Sequence, residues 1–160
     1  MQCVSVQSGA PMPTPRGDEL MFAVIDTNHF TALVAGGPLA SNLSRRTLEL
    51  DADVFTTIIT AQEVSQGWLA ALNRESAGVS QVFGYLRFQA ALQDFGKITI
   101  LPFDIEAAKT YERLKKLLPR LGTMDLKIAA ICVNHDALLL SRNLVDFERV
   151  PGLRVENWLD

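Results

Sequence analysis

Cysteine is almost missing from this chain: two in 160 residues, Cys3 and Cys132, far apart in sequence. That excludes a disulfide-stapled secreted scaffold and fits a reducing, cytoplasmic compartment. A chain of this length needs no staple, because folding buries about 68–70% of its unfolded surface. Cys132, inside an apolar helical run, reads as a small core residue. Cysteine and histidine also lack the spacing of a zinc site. No apolar run approaches the ~18–20 residues of a membrane span. Positive charge is in deficit too, with 15 Lys and Arg against 18 Asp and Glu, a net charge of −3. Bulk attraction to phosphate backbones is therefore excluded; any action on nucleic acid has to rest on a local patch and a metal. There is no internal repeat and no low-complexity tract.

What remains is one globular domain by length, 48% hydrophobic and 21% charged. Residues 1–20 carry three of the seven prolines and no periodicity, and read as a loose tail. They have neither the cationic start and apolar core of a signal peptide nor the pattern of a transit peptide. Met21, which opens the first structured element, is a candidate for the true initiator. From there apolar strands alternate with helices. Strands are predicted at 21–26, 56–60, 98–101, 137–140 and 153–156, and helices at 27–35, 38–50, 61–73, 80–95, 105–118 and 124–135. This order specifies an α/β fold around a mainly parallel sheet.

In such a sheet ligands sit beyond the carboxyl ends of the strands, so the polar residues there carry the most information. Asp26 ends the first strand. Glu63 falls in the first turn after the second, Asp125 in the first turn of the helix before the fourth, and Asp146 in the loop after the fourth. Carboxylates converging on one cleft repel one another unless a cation compensates them. An all-oxygen donor set favours Mg²⁺ or Mn²⁺ over zinc. Such a cation serves phosphodiester hydrolysis by acidifying water and holding phosphate and leaving oxygens. Taken singly, each acid also has an ordinary reading. Asp26 is equally a helix cap and Asp125 a first-turn partner of the helix dipole. Glu63 is equally a helix glutamate and Asp146 a turn residue.

Five blocks containing these acids resemble successive blocks of PIN-domain proteins: VIDTN (24–28), ITAQEVSQG (59–67), LPFDIEAAKTYERL (101–114), GTMDLKIAAI (122–131) and LLSRNLVDFERVPGLRVENW (139–158). Within that superfamily they are most similar to the VapC-type toxins of bacterial toxin–antitoxin modules. The resemblance implies a three-layer α/β/α fold over residues 21–160 and an Mg²⁺- or Mn²⁺-dependent endoribonuclease acting on RNA. It also implies a small antitoxin partner and a homodimer. It assigns Asp26, Glu63, Asp125 and Asp146 to an acidic quartet, with Asp26 and Asp125 as the metal ligands. Asn28, Ser141, Asn143 and Arg142 fall at positions that orient carboxylates or substrate. Ser141 stands where the family often has Thr, which keeps the hydroxyl. The tail before Met21 departs from the family pattern.

Other residues carry a sharp and an ordinary reading side by side. His29 follows the Asp-Thr-Asn block, where a hydrophobic residue is more usual, and is a candidate for substrate contact. His135 ends a helix and reads as a cap. Lys109, Arg113, Lys115, Lys116 and Arg120 form a solvated helix face, while Lys127, Arg142 and Arg149 are placed to steer phosphates. Trp68–Leu72 and Phe83, Tyr85, Leu86 and Phe88 exceed what a core-facing stripe needs and suit either core packing or a protein partner. Competing functions are a housekeeping PIN nuclease, told apart by the absence of an adjacent antitoxin gene, and a catalytically silent PIN module. A phosphoacceptor receiver domain lacks its acidic pair, since Thr27 follows Asp26, and lacks its lysine after the strand ALLL.

Overall fold

A computed structural model describes residues 21–160; the proposed tail 1–20, with Cys3, lies outside the described residues. Five parallel strands form one sheet in the order β3-β2-β1-β4-β5: β1 (Met21–Ile25), β2 (Ala52–Thr57), β3 (Thr99–Leu101), β4 (Leu138–Leu140) and β5 (Arg154–Glu156). In β1, Val24 points to one face while Ala23 and Ile25 point to the other, and in β4 Leu139 opposes Leu138 and Leu140 in the same way. This period-two alternation feeds two separate cores, and all six side chains are buried.

The core on one face is closed by α5 (Ile105–Leu117), α6 (Thr123–Asn134) and α7 (Leu144–Phe147), through Ala107, Leu114, Ile128, Ile131, Cys132 and Phe147. The opposite core takes Phe30 from α1 (Thr27–Ala35), Leu43 from α2 (Gly37–Glu49) and Phe95 from α4 (Val82–Phe95). Phe30 and Phe95 stack at 4.0 Å between ring centroids. Between them, α3 (Ile58–Arg74) sends Ile59 to the first core and Ala61 and Val64 to the second. The result is a three-layer α/β/α sandwich. Gly36 and Gly37, both at positive φ, make the α1–α2 turn that side-chain-bearing residues rarely adopt.

Most predicted elements are found within one or two residues of their expected ends. The second strand is the correction. TTIIT (56–60) reads as β-branched strand, yet the chain leaves the sheet at Thr57 and Ile58–Thr60 are helical. The Thr57 hydroxyl accepts the Thr60 backbone N–H at 3.1 Å, a cap that overrides β-propensity. Asp104 caps α5 through the Ala107 N–H, and His135 ends α6 as expected.

Candidate active site

The chain runs from β1 outward through β2 to β3, then crosses back to place β4 on the other side of β1. The crevice between the carboxyl ends of β1 and β4 is therefore the topological switch point. Here the Asp26 N–H still donates to the Leu140 carbonyl at 3.1 Å, continuing the ladder one residue past the strand. A cleft of about 320 Å³ opens at this point, lined by Asp26, Thr27, Asn28, Glu63, Asp125, Ile128, Asn143 and Phe147.

Each acid arrives on a different element. Asp26 is the N-cap of α1, its Oδ1 accepting the His29 backbone N–H at 3.0 Å. It is a buried residue, 6% exposed. So the cap reading and the cleft position hold together: one oxygen caps, and the carboxyl still lines the cleft. Glu63 lies in the second turn of α3, not the first, because the helix starts at Ile58. Its Oε2 accepts the Thr27 hydroxyl, which turns the glutamate toward Asp26. Asp125 is the third residue of α6, in the favourable field of the helix N-terminus. Asp146, on α7, stands outside the cleft lining but is tied to it: the Asn143 amide donates to Asp146 Oδ2 at 3.0 Å and reaches Asp125 Oδ2 at 3.5 Å. Asn143 is held in turn by its own N–H, which donates to the buried Ser141 hydroxyl at 3.0 Å.

Electrostatics record the same convergence. Burial pushes the Asp125 carboxyl above its ordinary value of 3.8, and Glu63, Asp146 and Asp26, in that order, push it further. Among the described residues no group of three or more His, Cys, Asp or Glu side chains is placed to hold a metal ion. Two carboxylates and an open cleft suit an ion that keeps most of its water, as Mg²⁺ does, and do not suit a fully protein-ligated one. The donor set is all oxygen, so it fits Mg²⁺ or Mn²⁺.

The remaining residues separate clearly. Asn28 is an exposed rim residue of the cleft. Arg142 lies away from the cleft lining and pairs with Asp160 at 2.8 Å; hydrogen bonds from Asn157 and then Arg142 hold the Asp160 carboxyl below the usual range. The Lys127 ammonium sits over the rings of Phe103 and Tyr111, 5.5 and 5.9 Å from their centroids. Arg149 stays at the rim, 3.9 Å from Asp146. Two contributors were given no role by the sequence reading: Thr27, adjacent to Asp26, and the apolar floor of Ile128 and Phe147. His29, a candidate for substrate contact, is fully buried behind Asp26.

The chain is similar to proteins already known. A family model described as PIN domain matches residues 23–153. Ribonuclease VapC1 of Rickettsia felis is 46% identical over 61 residues, covering 36% of this chain and 46% of that protein. Ribonuclease VapC2 of Haemophilus influenzae is 36% identical over 75 residues, covering 44% and 57%. The chain thus spans about half the length of the curated relatives it matches. Among solved structures, the DNA-bound VapBC of Salmonella typhimurium superposes with a TM-score of 0.66 at 25% identity, covering 87% of this chain and 98% of that one. The matched stretch runs from within β1 to the residue before β5 and takes in all four acids, and on that ground the chain belongs to the PIN domain family.

Proposed function

We propose that this chain is a divalent-cation-dependent endoribonuclease, the toxin of a toxin–antitoxin pair acting in the cytoplasm. The observation that carries the reading is the meeting of three carboxylates, Asp26, Glu63 and Asp125, at the switch-point cleft, with Asp146 tied to it through Asn143. Carboxylates converging on one cleft repel one another, a cost that a bound cation would offset. The similarity to ribonucleases named VapC supports RNA as the substrate.

Asp26 and Asp125 would hold the ion, which when bound supplies charge neutralisation for a phosphate oxygen and acidifies water. Glu63, oriented by Thr27, and Asp146, oriented by Asn143, would accept a proton from attacking water. Asn28 at the rim offers an amide to a phosphate or ribose oxygen, and Arg149 beside Asp146 offers a cation to the backbone. Ile128 and Phe147 keep the floor of the cleft dry, which strengthens every charge interaction above it. The exposed face of α4, with Phe83 70%, Tyr85 56% and Leu86 59% exposed, is the apolar surface offered to the antitoxin or to a second copy in a homodimer.

The test is RNA cleavage by purified protein with Mg²⁺ or Mn²⁺. Asp26→Asn should cut the rate by more than about 100-fold, beyond what loss of an outer-shell partner costs, while leaving the fold intact by circular dichroism. Cleavage at the wild-type rate by that variant, or in excess EDTA, overturns the assignment.

A further inference from the structure

Behind the cleft lies a buried polar relay that the proposed chemistry does not use. His29 is 0% exposed, and both of its ring nitrogens are engaged. Nε2 faces the backbone N–H of Trp158 at 3.3 Å. A backbone amide only donates, so Nε2 is the acceptor and the ring carries its proton on Nδ1. That Nδ1–H points at Asp26 Oδ1, 3.3 Å away. Oδ1 therefore takes two donors from one residue, the backbone and the ring of His29. Among the described residues no donor reaches Oδ2, and no buried side-chain oxygen there lacks a partner, so Oδ2 is the atom open to the cleft.

The far end of the relay is fixed as firmly. The Trp158 indole is buried, its Nε1–H donates to Glu156 Oε2 at 2.8 Å, and the Arg46 guanidinium lies over its ring. The next carbonyl, of Leu159, accepts the Asn42 amide at 3.0 Å. Trp158 lies beyond the stretch matched by the family model, so this anchor comes from outside it.

We propose that His29 is a positioning residue: by donating from Nδ1 to Asp26 Oδ1, with its tautomer set by the Trp158 amide, it holds Oδ2 toward the divalent ion. This rests on the reading of Asp26 as a ligand. The ion's grip then depends on a side chain that never touches it, the usual role of an outer-shell hydrogen bond.

The decisive measurement is Mn²⁺ binding by calorimetry without RNA, on the full chain and folded variants. His29→Leu fills the space without a donor and should weaken binding about 10- to 100-fold. It should lower kcat and leave the KM for RNA unchanged. His29→Asn, whose amide nitrogen donates from near the Nδ1 position, should recover a substantial part of both losses. Nitrogen-15 spectra of the wild-type imidazole should show a protonated Nδ1 and a bare Nε2. Wild-type Mn²⁺ affinity in His29→Leu, equal losses in the Leu and Asn variants, or a proton on Nε2 overturns the proposal. Ion binding that survives Asp26→Asn instead overturns the reading of the site, and this proposal with it.

Discussion

At Asp125 the cost of assembling the cleft is concentrated on a single carboxyl group. Burial and three neighbouring acids raise its folded-state value, so the native protein holds that proton more tightly than the unfolded chain does. The stabilisation from this proton is fully present below the unfolded value and is lost as pH rises through the folded one. At neutral pH, with no divalent ion, the charged group is a standing cost. Asp125→Asn should therefore raise Tm at pH 7 in EDTA, and the gain should shrink as pH falls toward the ordinary carboxylate range. For a chain of this size each 1 kcal/mol reads as roughly 3–4 °C. Adding Mg²⁺ should reverse the order, because the ion stabilises only the protein that binds it. An Asn variant that melts below wild type at pH 7 in EDTA contradicts the repulsion argument. Cys132 is the opposite case: complete burial pushes its thiol far up, so it stays protonated and inert in the native core.

Among the elements, α3 shows how a short signal outweighs a longer one. All five residues of TTIIT are β-branched, yet the helix begins inside this run. A single side-chain cap at Thr57 decides the boundary. Thr57→Ala should cost about 1 kcal/mol of stability, read by urea melts, and should loosen the start of the helix that carries Glu63. A variant as stable as wild type argues that packing, not the cap, sets the boundary. This boundary was illegible from pattern alone, because a cap is one hydrogen bond whose geometry appears only once Thr60 is helical. Much else was legible: the alternation of Ala23, Val24 and Ile25, the Asp104 cap and the His135 terminus all follow from local rules. All four acids could be picked out at strand ends and helix starts, and Asn143 and Ser141 by resemblance, whereas Thr27 as the partner of Glu63 could not. Asn143 with Asp146 is a local contact within one turn, whereas Thr27 with Glu63, and Asn143 with Asp125, join residues whose meeting is set by the fold. The same holds for Arg142, whose neighbour Asp160 is 18 positions away.

For the molecule as a whole, two thin cores share one sheet, and Leu139, on β4 beside the central β1, is fully buried in the core that α6 closes. Leu139→Ala should cost about 2–5 kcal/mol through the cavity it leaves, a large share of the roughly 5–15 kcal/mol a domain has in total. Thermal and urea unfolding should both shift by that amount, and a shift below 1 kcal/mol, about the value of a single buried methylene, would mean the core closes over the gap. The sheet has a further consequence in time. β1 is the first strand made, but its partner β4 and the Trp158 amide behind His29 are among the last. A nascent chain on the ribosome holds Asp26 before β4 and Trp158 exist, and so without the groups that complete the crevice. The crevice therefore takes shape only once β4 and the Trp158 segment have emerged and folded back on β1.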